Sequence, residues 1–222
     1  MCGRFSFTQS EKIVAEIFQL ASVPTLSPRY NIAPTQPVPT VLVDSDVKNR
    51  HLKMLRWGLI PSWAKDIKMG AKLINARAET VAEKPAFRSA FKHRRCLILA
   101  DGFYEWQEQE GKKQPFYFRL QDGKPFAFAG LWERWSKGED EAIESCTILT
   151  TESNDLMRPI HDRMPVILEQ KDYNTWLDPE IQKRESLQSL LQPYKSEEMT
   201  FYPVTTKVNN AKTDSPDSIK KV

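Results

Sequence analysis

Between residues 96 and 152 one pattern comes four times: an apolar run, then a short polar break. The runs are CLILADGFYEW (96–106), PFYFRL (115–120), PFAFAGLWERW (125–135) and ESCTILTTE (144–152). Each is rich in aromatic and β-branched residues and too short for a long helix, so each reads as a strand. The breaks QEQEGKKQP and QDGK carry Gly and polar residues, which turn the chain back on itself as hairpins. A chain with so many sequential apolar strands must bury them face to face or curl them into a barrel.

The flanks extend this reading. VPTVLV (38–43) and HLKMLRWGLIP (51–61) are strands, with the polar turn DSDVKN between them. RMPVILE (163–169) and EMTFYPVTT (198–206) add two more. SEKIVAEIFQL (10–20) has apolar residues at helical spacing behind Ser10 as a cap. NARAETVAEKPAF (75–87) enters a helix, and FRSAFKHRR (87–95) continues helical with a basic end. Residues 154–161 form a short helix or loop; 172–178 and 181–191 read as helices. PTLSPRYNIAPTQPVP (24–39) reads as an ordered loop, and 62–74 as irregular chain. Strands dominate, and helices sit between groups of strands rather than alternating with them. This predicts an α+β fold: one domain over residues 1–222, on a curved, largely antiparallel sheet or open barrel with peripheral helices. A polar tail begins near residue 207.

Composition narrows the class. Hydrophobic residues make up 40% of the 222 and charged residues 27%, as in ordinary globular proteins. No apolar run reaches the roughly 18 residues of a membrane span. Cys2, Cys96 and Cys146 are odd in number and lack close spacing, and His51, His93 and His161 are scattered. That argues against a disulfide framework or a metal site, and for a reducing cytoplasm. The net charge of +3 permits a nucleic-acid partner without requiring one.

Several residues are chemically out of place. Cys2 follows the initiator methionine. If Met1 is removed, the chain begins with a 1,2-aminothiol, with an amine of pKa about 7.7–8 and a thiol near 8.5. The adjacent ammonium is expected to lower the thiol value. Such a group has a distinctive reaction: the amine condenses with an aldehyde and the thiol closes a five-membered thiazolidine. Taken alone, Cys2 reads equally as a small apolar filler. Glu105 lies between Tyr104 and Trp106, where burial suits it to proton transfer, although alternation also allows a solvent face. His161 before Asp162 and Arg163 reads as an acid–base group or as structural. Asn75 and Arg77 share a side if extended, or cap a helix if not. Arg56-Trp57, Trp63, 29–31 and 87–95 interleave basic and aromatic residues, as strand-binding surfaces do. No G-x-S-x-G, P-loop or G-x-G-x-x-G pattern occurs.

MCGR (1–4), RYNIAP (29–34), RWGLIPSW (56–63), INARAET (74–80), CLILADGFYEW (96–106) and IHDRMPV (160–166) stand in the order and spacing of one family. Over nearly its whole length the chain resembles the SRAP (SOS response-associated peptidase) domain family. The resemblance implies an α+β fold and covalent capture of abasic sites in single-stranded DNA, by a monomer without a cofactor or a membrane. It implies Cys2 as nucleophile, Asn75 orienting it, Glu105 relaying protons and His161 acting in ring opening and reversal. Arg4, Arg77 and Arg163 would hold phosphates. Asn31, Pro34 and Trp63 would belong to the DNA groove. The family can carry two adjacent tryptophans where this chain has Trp63-Ala64. Removal of Met1 by the protein itself fits the peptidase label. Two other functions stay open on the residues alone: an autoprocessing N-terminal-cysteine peptidase or amidohydrolase, and a non-covalent binding module for single-stranded DNA.

Overall fold

The computed structural model describes residues 2–43, 49–137 and 141–222. In chain order these form strand β1 (Phe5–Phe7), helix α1 (Glu11–Phe18), β2 (Arg29–Ile32), β3 (Pro37–Val43), β4 (Arg50–Trp57) and β5 (Asn75–Arg77). Then follow α2 (Arg88–His93), β6 (Arg95–Ala100), β7 (Gly102–Gln109), β8 (Lys112–Leu120), β9 (Phe126–Trp135) and β10 (Ile143–Glu152). Last come β11 (Arg163–Pro165), β12 (Ile167–Leu168), α3 (Tyr173–Leu177), α4 (Arg184–Gln188) and β13 (Met199–Pro203).

Two sheets share these strands. The first runs β13-β8-β7-β1-β2, and every pairing in it is antiparallel. The second runs β11-β10-β4-β3-β6-β9-β12. In it β10 also pairs with β9, from Ile143↔Trp135 to Ile148↔Gly130. That second pairing closes β10-β4-β3-β6-β9 into a five-stranded barrel, where the sequence leads one to expect an open one. Closure removes the barrel's free edges. Two pairings depart from the antiparallel expectation: β10 runs parallel to β4 and to β5.

Both sheets feed one core. Phe5 of the first sheet meets Trp57 and Phe128 of the barrel edge-on, at centroid distances of 5.1 and 5.6 Å. Phe103 stacks on Phe118 at 5.2 Å and meets Phe128 at 6.0 Å. Inside the barrel Gly130 is needed for space, since a Cβ there would lie 2.8 Å from Cys96 Sγ. On the outside, α1 buries Val14 and Phe18. Ser10 occupies its N-cap position without a side-chain cap bond.

Three segments differ from expectation in ways that matter for the site. First, 96–106 is not one strand. It breaks at Asp101 into β6 of the barrel and β7 of the other sheet. Asp101 makes the corner by accepting from Ser6 Oγ (2.5 Å), Thr8 N (2.6 Å) and Thr8 Oγ1 (2.7 Å), which ties it to β1. Gly102 follows because a Cβ there would lie 2.2 Å from the Tyr117 hydroxyl. Second, 75–87 does not enter a helix. Asn75, Ala76 and Arg77 extend along β10, opposite Ile148, Leu149 and Thr150, and turns follow. The open ladder of β10 supplies backbone partners that outweigh the local helical preference. Third, 29–32 lies within the expected loop yet forms β2, because β1 offers it an antiparallel edge.

The tail is polar as expected, but ordered. Val204 bridges Lys221, and Asn31 Nδ2 donates to the carbonyls of Val208, Asn210 and Thr213. The turn expected at 44–49 falls largely outside the described residues. Among the described residues no helix is long and apolar enough to cross a membrane.

Candidate functional site

The site forms where the N-terminal strand crosses from one sheet to the other. Antiparallel β1 pairs Phe5 with Phe103, and Tyr104 N donates to Arg4 O at 3.0 Å. Continuing that register brings residues 2 and 3 alongside Glu105. β7 alternates. Tyr104 and Trp106 pack outward against Val204 and Val208 of the tail, while Phe103 enters the main core. Glu105 shares Phe103's face and is 3% exposed. Its carboxyl is therefore raised above the usual carboxylate range by burial, against the pull of the N-terminal charge and of His161.

Cys2 is fully buried. Its thiol is pushed up, first by burial and then by the Glu105 charge, which together outweigh the amino terminus and a weak bond to Arg4 O at 3.9 Å. The amino-terminal charge does pull the thiol down, as a neighbouring ammonium should, but burial outweighs it. With Met1 present, the thiol form is favoured over the thiolate.

Asn75 Nδ2 donates to the Cys2 carbonyl at 2.8 Å. β5 makes this contact possible: Ala76 turns into the core, so Asn75 and Arg77 lie on the other side together. His161 follows a run of turns started by Asn154, whose Oδ1 accepts from Met157 N at 3.0 Å. Gln107, two residues past Glu105, donates from Nε2 to Pro159 O at 2.9 Å and holds this loop against β7. His161 Nδ1 lies 3.0 Å from both Arg163 N and Asp162 Oδ1. A neutral ring accepts from the amide at that atom; a protonated one donates to the carboxylate. The elements thus bring Cys2, Asn75, Glu105 and His161 to one seam.

The expected phosphate ligands are placed differently from one another. Arg77 is exposed beside the site. Arg163 makes a two-bond pair with Glu79 (2.6 and 3.0 Å) and donates to Thr150 O at 2.7 Å. That pair holds the Glu79 carboxyl below its usual range. Arg4 donates to Asn31 Oδ1 (3.0 Å) on β2 and to Val208 O (2.7 Å) and Asn209 O (3.3 Å) of the tail, so three of its five donors are engaged. Asn31 is fully buried and braces Arg4 and the tail. Pro34 is half-buried after β2.

Trp63 is 57% exposed and forms one wall of a cleft of ≈ 410 Å³, together with Leu73, Asn75, Arg77, Lys84 and Phe87. Its neighbour Ala64 is buried and accepts from Trp135 Nε1 at 2.7 Å. Among the described residues no cluster of His, Cys, Asp or Glu is arranged for a metal.

Sequence reasoning gave no role to Glu79, Asp101 or the tail. Glu79 and Asp101 lie inside motifs already singled out. The tail's part has no local signal, since its contacts to Arg4 and Asn31 span more than 170 residues.

The fold and this seam define a protein of the SRAP class, and the comparisons agree. Residues 1–211 match the family described as SOS response associated peptidase (SRAP), and the chain belongs to it. It is 46% identical to the abasic site processing protein YoqW of Bacillus subtilis strain 168, over 99% of each chain. It is 36% identical to the abasic site processing protein HMCES of Xenopus tropicalis, over 88% of this chain and 66% of that one. A crystal structure of a protein from Bacteroides thetaiotaomicron superposes with a TM-score of 0.87 at 28% identity, over the full length of both chains.

Proposed function

We propose that this protein traps abasic sites in single-stranded DNA as a covalent adduct on Cys2. The observation that carries the proposal is the grip of Asn75 on the Cys2 carbonyl beside the buried Glu105 carboxyl. A filler cysteine needs neither partner. The names of the relatives supply the substrate class.

The chemistry starts with hydrolysis of the Met1–Cys2 peptide, a step we assign to the protein itself. Water is consumed, methionine leaves, and Cys2 gains a free amine. The abasic deoxyribose opens to its C1′ aldehyde, with His161 moving the ring-oxygen proton. The Cys2 amine adds to C1′, and Glu105, whose burial favours the protonated carboxyl, gives a proton to the departing hydroxyl. One water is lost and an imine forms. The Cys2 sulfur then adds to C1′ while its proton passes, through Glu105, to the nitrogen. The product is a thiazolidine with one C–N and one C–S bond to the sugar. Asn75 keeps the Cys2 backbone from rotating away during both additions. Arg77, Arg163 and the two remaining donors of Arg4 hold flanking phosphates, and Trp63 and Pro34 pack against the strand.

The test is intact mass after incubation with a single-stranded oligonucleotide bearing one abasic residue. A heat-stable adduct lacking Met1, absent in Cys2→Ala and absent with undamaged DNA, is expected. Peptide turnover without an adduct would replace this reading with an amidohydrolase.

A further inference from the structure

Residues 84–95 contain Lys84, Arg88, Lys92, Arg94 and Arg95 and no acidic residue, in a chain whose net charge is only +3. Two of these cations are already engaged. Arg95 is buried against carbonyls of α2 and of residues 176, 178 and 181. Arg94 pairs with Glu133 at 2.8 Å. The other three recur every fourth residue. Arg88 N donates to Lys84 O at 2.9 Å, closing a turn ahead of α2, and Arg88 and Lys92 stand four apart on α2 itself. Lys84, Arg88 and Lys92 are exposed, while Phe87, Ala90 and Phe91 are buried beneath them.

The stripe also lines a concavity. A hollow of ≈ 350 Å³ is bounded by Ala82, Arg88, Ser89, Lys92 and His93. No carboxylate lines it, and nearby Glu83 is paired with Arg184 at 2.9 Å. The hollow around Lys124, Lys171 and Lys195 makes a useful contrast. There Asp122, Glu169 and Glu198 share the lining, and each lysine is ion-paired. Of these two hollows, the one at α2 has positive charge with no carboxylate in its lining. It begins where the Trp63 cleft ends, since Lys84–Phe87 wall the cleft and Arg88 opens the hollow.

We propose that the outer face of α2, through Arg88 and Lys92, is a phosphate track for the DNA strand running out of the Trp63 cleft on one side of the abasic residue. The proposal rests on the DNA reading above but concerns the flank, not the chemistry.

The test uses oligonucleotides with a tetrahydrofuran abasic analogue, which has no aldehyde and isolates binding from crosslinking. One is short; the others extend on the 5′ or the 3′ side only. Fluorescence anisotropy of the Arg88→Ala/Lys92→Ala double variant is compared with wild type. The expected result is an affinity loss of about five- to tenfold for one extended oligonucleotide and none for the short one. For the affected oligonucleotide, the log–log salt slope becomes shallower by about 1.4, or 0.7 for each single-strand phosphate. Equal affinities across all three, or an equal loss across all three, would overturn the track. Arg88→Gln alone carries the same test, with half the slope change, should the double variant not fold. Wild-type crosslinking to the short aldehyde-bearing oligonucleotide is scored separately, so failure of the chemistry and failure of the track are distinguishable.

Discussion

Cys2 and the two barrel cysteines are alike in burial and unlike in company. Cys96 and Cys146 sit on β6 and β10 at zero exposure, as Cys2 does at the seam. Burial raises all three thiols: Cys96 well above its ordinary value, with Cys146 adding to the effect, and Cys146 to about 12. A raised thiol in a dry place therefore does not mark a nucleophile. What separates Cys2 is the polar set around it: an amide on its carbonyl, a buried carboxyl facing its thiol, and an imidazole on the next loop. The barrel cysteines have no such set: Cys96 would collide with a single added methyl at Gly130, beside Ile98, and Cys146 has the Thr40 hydroxyl as a partner. The barrel is built to exclude change, and the seam to move protons.

The sharpest way to break this contrast is Glu105→Gln. The adduct rate at saturating DNA should fall about 100-fold, the scale of a lost acid–base group, with binding within twofold. Equal losses in both would make Glu105 a packing or contact residue. The opposite case is Gly130→Ala in the barrel. Overpacking against Cys96 and Ile98 should cost about 1–3 kcal/mol of stability and leave the adduct rate of the folded protein unchanged. Denaturant melts and single-turnover kinetics separate the two.

A smaller effect follows from the raised Glu105 carboxyl. The fold favours its protonated form, so its contribution to stability is intact below the unfolded value, about pH 4.3, and is lost as pH climbs through the raised value. Glu105→Gln cannot lose that proton. Its melting temperature should rise relative to wild type across this window, and parallel curves would contradict the burial argument. The smallest effect concerns Glu79, which holds Arg163 away from other anions. Glu79→Gln should tighten DNA binding by up to about fivefold, within the range of a half-exposed ion pair. Weaker binding would instead make Glu79 the residue that aims Arg163.

These cases also indicate what a reader of the sequence can reach. The strands of the barrel and the β7–β8 hairpin are legible because alternation and turn residues are local. The α1 helix is legible for the same reason. The break at Asp101 is not: it depends on Ser6 and Thr8, more than 90 residues earlier, supplying donors to one carboxylate. Residues 75–77 look helical until β10 provides an edge. Closure of the barrel depends on β10 pairing on both sides at once, which no single segment specifies. Of the site, the reactive residue types stand out because they interrupt apolar or terminal contexts. The burial that raises the Cys2 thiol does not, because it exists only in the folded protein.

The most direct measurement is a tryptic map of the adduct formed on an abasic oligonucleotide digested to its sugar. The account predicts the remnant on the peptide Cys2–Gly3–Arg4, with both amine and sulfur blocked and Cys96 and Cys146 free to alkylate. A remnant on a lysine near the cleft, Lys84 foremost, would contradict it and assign the capture to a side-chain amine instead.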